Sequence, residues 1–421
     1  LQRLRDDADR IRQGAIDKGE DPSLVDEALR LDSERRRLTG EGDGLRADLK
    51  ARSADVATAM KSGDRDRAEQ LKTEARQLGE RISTAEGAAA EVQAKLDDLL
   101  LRIPNPADPD VPVGGESASV IVRTWGEPAP KAYRKPHWEI AEALGMIDLA
   151  AGAKVAGSGF PMYRAQGAAL QRALIDFFLG VHTTEHGMTE IWPPIVVNAD
   201  SARGTGQIPD KEDQMYVVTR DDLYLIPTSE VPVTNIHRDE IIENARMPIR
   251  YVAYSPCFRR EAGAAGAKTR GILRVHQFDK VEMVCFERPA ESNDTLEWLT
   301  ARAEVCLQRL GLPYRVKLMA TGDMGFVQAK KYDLEVWAPA IEDWLEVSSV
   351  SNFRDYQARR MNIRWRPEPG GKTEILHTLN GSGLALPRTV AAILEVYQQE
   401  DGSVIVPEAL RRRLGERLAA G

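Results

Sequence analysis

Between residues 68 and 99 the apolar positions recur at intervals of three and four without a miss: Ala68, Leu71, Ala75, Leu78, Ile82, Ala85, Ala89, Val92, Leu96 and Leu99. That spacing sets all of them on one stripe of a helix, the seam of a coiled coil. A patchier stripe, Leu38, Leu45, Leu49, Val56 and Met60, precedes it, so residues 24–102 read as two long helices. Only Lys61-Ser62-Gly63-Asp64 separates them, which leaves room for a tight reversal and nothing else. Two helices joined this way bury their stripes against each other as an antiparallel hairpin. Gly40, Gly42 and Gly44 break the first stripe. Each costs about 1 kcal/mol against alanine in a helix interior, so a bend or fraying is expected there.

The helical pattern stops at Ile103-Pro104-Asn105-Pro106, and a Pro/Gly/Asp-rich stretch runs to Gly115. Proline neither continues a helix nor donates to a sheet. Beyond it, short β-type runs such as Met215-Tyr-Val-Val, Val281-Glu-Met-Val-Cys-Phe and Tyr332-Asp-Leu-Glu-Val-Trp alternate with helical segments. The pattern therefore predicts an arm over residues 1–103, a linker over 104–116 and an α+β domain over 117–421. A largely antiparallel sheet flanked by helices is the expected architecture of the last.

A length of 421 residues supports two domains, and 42% hydrophobic with 29% charged residues describes a globular chain with a sizeable core. No run of about 18 apolar residues exists to span a membrane. The opening Leu1-Gln-Arg-Leu-Arg-Asp-Asp carries charge from the start, unlike a secretory signal or an acid-poor transit peptide, so a cytoplasmic location is expected. Cys257, Cys285 and Cys306 are odd in number and far apart, which predicts free thiols, no disulfide framework and no structural zinc. The net charge of −8 argues against indiscriminate nucleic-acid binding. A local basic face can still meet an anionic partner. The arm offers Arg35, Arg36, Arg37, Arg46, Lys50 and Arg52, although residues 1–105 hold 20 Lys and Arg against 23 Asp and Glu, a net of −3.

Candidate chemistry concentrates between Pro256 and Glu282. Cys257-Phe258-Arg259-Arg260-Glu261 ends a β-type run, and a glycine-rich cationic loop follows with Gly263, Gly266, Lys268, Arg270 and Gly271. Arg274-Val-His276-Gln-Phe278-Asp-Lys-Val-Glu282 then returns alongside. An arginine at a strand end can make paired hydrogen bonds to a phosphate or carboxylate, and glycines permit a loop that closes over a nucleotide.

Phe258-Arg259-x-Glu261, the loop and Arg274-x-x-x-Phe278 together resemble motif 2 of the class II aminoacyl-tRNA synthetases. His186-Gly187-Met-Thr-Glu-Ile-Trp-Pro193-Pro194 is similar to motif 1, and Leu379-Asn380-Gly381-Ser382-Gly383-Leu-Ala-Leu-Pro-Arg388 to motif 3. The intervening Thr228-Ser-Glu230, Val275-His-Gln-Phe-Asp-Lys-Val-Glu282, Glu346-Val-Ser-Ser349-Val-Ser-Asn352, Tyr356-Gln-Ala-Arg-Arg360 and Gln398-Gln-Glu-Asp-Gly resemble the seryl-tRNA synthetases of bacterial type. The resemblance spans the whole chain, arm included. Ser229 stands where the family often has alanine, Arg260 where it often has serine, and Val350 where it often has cysteine.

The resemblance implies a serine–tRNA ligase that forms seryl-adenylate from L-serine and ATP with Mg²⁺, then charges tRNA(Ser), with the selenocysteine tRNA a further candidate acceptor. It implies that Arg259 bridges the ATP α-phosphate and the serine carboxylate, and that Arg388 holds the γ-phosphate. Phe278 would stack on adenine and Glu261 would contact its amino group. Arg260 and residues Glu346, Val347, Ser348 and Ser349 complete the expected ATP site. Glu346 and Ser349 are the expected Mg²⁺ ligands, hard oxygens for a hard cation. Thr228, Ser229, Glu230, Arg259, Glu282, Asn380 and Ser382 are the expected serine site. The arm would take the long variable arm of tRNA, whose acceptor end would reach the catalytic domain, and Pro194 would lie at a homodimer interface. Asp323-Met-Gly325-Phe and Lys330-Lys-Tyr-Asp333 also match the family and read as scaffold, and His276 as a packed strand residue. Two rival readings are a synthetase-like ligase that loads a carrier protein and a non-catalytic tRNA-binding paralogue.

Overall fold

The computed structural model describes residues 1–261 and 270–420 and divides into two compact units, Leu1–Pro106 and Ala107–Gly421. In the first, two short helices (Gln2–Asp6 and Ala8–Asp17) precede the long pair α1 (Ser23–Ser62) and α2 (Arg65–Leu101). Two residues make the reversal. Gly63 takes the left-handed conformation (φ 77°) that ends α1, and Asp64 caps α2 by accepting from the Arg67 N–H at 3.0 Å. Leu38 and Leu45 of α1 and Ala68, Leu71, Ile82, Ala85, Val92 and Leu96 of α2 are buried, so the seam is formed as the spacing requires.

Two details of α1 differ from expectation. The helix runs unbroken through Gly40, Gly42 and Gly44, because tertiary packing along 40 residues outweighs three small propensity costs. Met60 is 56% exposed while Ala59 is buried. Counting by four and three from Leu45 through Leu49, Arg52 and Val56 lands on Ala59, which leaves Met60 one residue off the seam.

The second unit is built on eight strands: β1 (Val120–Trp125), β2 (Thr189–Ile191), β3 (Ile249–Phe258), β4 (Gln277–Glu287), β5 (Tyr314–Leu318), β6 (Lys330–Ala338), β7 (Asp343–Arg354) and β8 (His377–Ala385). They order β1-β5-β6-β7-β8-β4-β3-β2, antiparallel throughout except for the β2–β3 pair. Helices α3 (Ala165–Thr184), α4 (Ser292–Arg309) and α5 (Leu386–Val396) cover one face. Leu174, Phe178, Leu299 and Ile393 from these helices pack with Val281, Met283 and Cys285 of β4. The alternate residues Val284 and Phe286 belong to a second cluster with Val233, Ile242 and Ile363. Strand β4 is thus buried on both faces, which is why its sequence is nearly continuous in apolar residues. A charged residue in that strand must find a partner inside the protein.

Candidate active site

Strands β4, β6, β7 and β8, with the segment around Thr228, enclose a cavity of about 550 Å³. Phe278, Lys280 and Glu282 recur every second residue along β4 and all line it, as the strand period requires. Across the ladder Glu282 stands opposite Ser382 of β8, whose hydroxyl donates to the Glu282 carboxylate at 3.3 Å.

One half of the cavity is lined by buried carboxylates, hydroxyls and an amide: Thr228, Glu230, Glu282, Asn380 and Ser382. Lys280 is buried among them. Its ammonium donates to Thr228 Oγ1 at 2.7 Å and lies 2.5 Å from the Glu282 carboxylate. Glu230, at the start of the short helix Glu230–Thr234, accepts from Gln357 Nε2 at 2.6 Å. Burial, with Glu282 nearby, pushes the Glu230 carboxyl up to about 7, against the opposing pull of Gln357, Lys280 and Lys211.

The other half is cationic and more open. Arg259 leaves β3 with its guanidinium 5.0 Å from the ring centre of Phe278. Its carbonyl accepts from His276 Nδ1 at 3.0 Å, and the His276 ring stacks on Phe160, so this histidine is packed. Arg388, in the first turn of α5, donates to the carbonyls of Leu273 and Glu346 at 3.1 and 3.0 Å. It also lies 3.7 Å from the Glu346 carboxylate. Glu261 has a positive φ of 49° and pairs with Arg274.

Glu346 and Ser349 are three residues apart, a spacing that sets side chains on opposite faces of a regular strand. The β6–β7 register jumps from Leu334↔Ser348 to Glu335↔Glu346 and leaves Val347 unpaired. That bulge resets the alternation, so both Glu346 and Ser349 line the cavity. Enclosure works against the Glu346 charge, but Lys331, Arg388, Arg259 and Lys280 outweigh it and hold this carboxyl below its usual range. Burial, with Glu346 beside it, pushes Asp333 up to about 7 although Lys331 lies 3.1 Å away. Among the described residues no group of three or more His, Cys, Asp or Glu could hold a metal. A carboxylate and a hydroxyl facing a phosphate-sized space suit a Mg²⁺ that takes its other ligands from phosphates and water.

Two expected site residues lie outside the cavity lining. Ser229 is fully buried with its hydroxyl 2.6 Å from that of Ser255, and exposed Arg260 donates to the Asp213 carbonyl at 3.0 Å. Gly263, Gly266 and Lys268 of the expected loop fall outside the described residues. Lys280, Lys211, Lys331 and Gln357 were absent from the expected site. Lys280 carries a sequence signal, a lysine two residues before Glu282 at the mouth of the apolar run 281–286. Gln357 lies in the Tyr356–Arg360 segment that resembles the family, but its contacts are long-range and nothing local points to Glu230.

In the arm, Asp32 is fully buried and takes Arg5, Arg35 and Arg36 as partners. Arg37 pairs with Glu41, Arg46 with Asp43 and Glu86, and Arg52 with Asp55 and Glu74, while Lys50 is exposed. In the second unit Pro194 is exposed between Trp192, 82% exposed, and Ile195, beside the edge strand β2. No helix among the described residues is long and apolar enough to cross a membrane.

Comparison with known proteins follows the same two units. Residues 1–107 match the Seryl-tRNA synthetase N-terminal domain, and residues 216–397 match the tRNA synthetase class II core domain (G, H, P, S and T). A serine–tRNA ligase of Gemmatimonas aurantiaca is 50% identical over 421 residues, covering 99% of each chain. One of Geobacillus kaustophilus is 50% identical over 416 residues, covering 98% of each. Among solved structures, the seryl-tRNA synthetase of Pyrococcus horikoshii complexed with ATP superposes with a TM-score of 0.93 at 37% identity, covering 100% of this chain and 99% of that one. The cytoplasmic serine–tRNA ligase of Naegleria fowleri in complex with AMP gives 0.85 at 29% identity, covering 98% and 96%.

Proposed function

The chain belongs to the seryl-tRNA synthetase family, and on that premise we propose that it is a serine–tRNA ligase working in the cytoplasm. A serine carboxylate oxygen attacks the α-phosphorus of ATP, an acyl–phosphate bond forms, and pyrophosphate leaves. A hydroxyl of the terminal ribose of tRNA(Ser) then attacks the acyl carbon, and AMP leaves. The observation that carries this reading is one cavity with two chemistries: Thr228, Glu230, Glu282 and Ser382 at one end, Arg259, Phe278 and Arg388 at the other.

The serine carboxylate is already a nucleophile, so the first step needs no general base. Orientation and neutralisation of phosphate charge supply the catalysis. Arg259 would hold the α-phosphate against the serine carboxylate, and Arg388 would serve the γ-phosphate. Phe278 offers a face to the adenine. Glu346 and Ser349 would hold Mg²⁺, which would neutralise charge on the phosphates. Glu230 and Glu282 suit the serine ammonium, and Thr228, Ser382 and Asn380 the serine hydroxyl. A site built to hydrogen-bond a hydroxyl rejects the analogue lacking it by about 10⁴ or more, so alanine is refused without editing. The exposed Trp192, Pro194 and Ile195 support a homodimer. The outward cations of the arm support contact with the tRNA variable arm.

Pyrophosphate exchange into ATP tests the reading. Serine is expected to drive it, alanine and threonine far less, and Arg259→Ala is expected to abolish it with the fold intact. Absence of serine-dependent exchange in folded wild-type protein would sink the proposal.

A further inference from the structure

Tyr356-Gln-Ala-Arg-Arg360 forms a five-residue helix outside the sheet, and its second residue stands behind the cavity lining in contact with Glu230. Gln357 is 1% exposed. Its Oε1 accepts from Thr378 Oγ1 at 2.7 Å, and its Nε2 donates to Glu230 Oε1 at 2.6 Å and to the Thr205 carbonyl at 3.2 Å. Both amide protons and the amide oxygen therefore have partners. The Thr205 carbonyl can only accept, so the nitrogen must face it and Glu230, and the Thr378 hydroxyl, able to donate or accept, then donates to the oxygen. Thr205, Thr378 and Glu230 come from three different elements and all are buried. Such a satisfied network fixes a unique arrangement.

We propose that Gln357 is a positioning residue for serine binding, whose amide, oriented by the Thr205 carbonyl and anchored by Thr378, holds Glu230 as an ionised acceptor facing the cavity. The inference rests on the reading that this cavity takes serine. An amide N–H stabilises a carboxylate more than a carboxylic acid, so it favours the form that binds an ammonium. The groups facing Glu230 are Glu282 and Lys280 from β4, Lys211 from the loop beside the cavity, and Gln357 itself. Of these Lys280 is already engaged by Glu282. Gln357 is thus the direct donor to Glu230 on which the acceptor geometry depends.

The test is steady-state pyrophosphate exchange in Gln357→Met, Thr378→Val and Thr378→Ser, with serine and ATP varied separately across the neutral pH range. In Gln357→Met the serine KM is expected to rise about 10- to 100-fold, the worth of a hydrogen bond to an ionised group, while kcat and the ATP KM stay near wild type. The acid limb of kcat/KM for serine should move to higher pH. Thr378→Val should shift both in the same direction by less, and Thr378→Ser should restore wild-type values. An unchanged serine KM in Gln357→Met overturns the proposal, as does a parallel loss in serine and ATP parameters without a pH shift. If Gln357→Met does not fold, the Thr378 pair decides, and equal serine KM in Thr378→Val, Thr378→Ser and wild type overturns it. Wild-type protein that exchanges with no amino acid would remove the functional reading, a result distinct from any variant's.

Discussion

The ammonium of Lys280 lies 2.5 Å from the carboxylate of Glu282, and both side chains are buried in the same strand. The carboxylate-lined end of the cavity therefore carries its own counter-charge. Removing one member of a buried pair leaves the other charge uncompensated, at a cost of about 3–5 kcal/mol. Lys280→Met is expected to lower stability by that order in denaturant unfolding. Lys280→Met combined with Glu282→Gln should recover most of the loss without recovering serine activation. Additive losses in the double variant would show that the two groups do not depend on each other.

Glu230 sets a pH dependence whose sign follows from its raised carboxyl, at about 7. Between the unfolded value of about 4.3 and the folded one the native protein holds the extra proton, so stability falls as pH rises through that window, by about 4 kcal/mol in all. Above it the penalty is constant. Glu230→Gln is therefore expected to melt higher than wild type at alkaline pH and to lose serine-dependent exchange. In the wild type the acid limb of kcat/KM for serine should fall near neutrality. The limb of kcat should lie lower, because bound ammonium favours the carboxylate. Thermal scans and pH–rate profiles check both halves.

Much of this was legible in the residues, for identifiable reasons. The arm announced itself because a seam spacing is local, and the one misplaced position, Met60, came from extending a patchy stripe by four where the seam steps by three. The candidate site residues announced themselves because Arg259, Glu282, Ser382 and Arg388 sit in short contiguous motifs. Glu346 and Ser349 share a face through a bulge at Val347 that strand alternation does not reveal. Ser229 turns to Ser255, and Gln357 turns to Glu230 from more than a hundred residues away. Only the folded chain brings such partners together.

The arm cations sort by what they touch. Arg5, Arg35 and Arg36 surround buried Asp32 and hold its carboxyl far below the usual range. A depressed carboxyl contributes stability that is complete above its unfolded value of about 4 and is lost only in stronger acid. Arg35→Ala is expected to destabilise the arm at neutral pH. Lys50→Ala should leave melting unchanged and reduce the salt dependence of tRNA binding by about one unit of log–log slope. Equal melting of the two variants would contradict this division.

The hairpin can also be shortened without disturbing either end. Residues 42–55 and 72–85 face each other across the Gly63-Asp64 turn. Excising both removes two heptads from each helix, which keeps the seam in phase and draws the tip in by about 21 Å. Arg46, Lys50 and Arg52 leave with the excised segments, while the Asp32 cluster and the turn remain. All the residues that line the candidate cavity lie in the second unit, so serine-dependent pyrophosphate exchange is expected at the wild-type level. Charging of tRNA(Ser) should fall, with a shallower salt dependence by about one unit of slope for each phosphate contact removed. Equal loss of exchange and charging would make the hairpin a structural support for the catalytic unit. Unchanged charging would place tRNA recognition elsewhere on the chain.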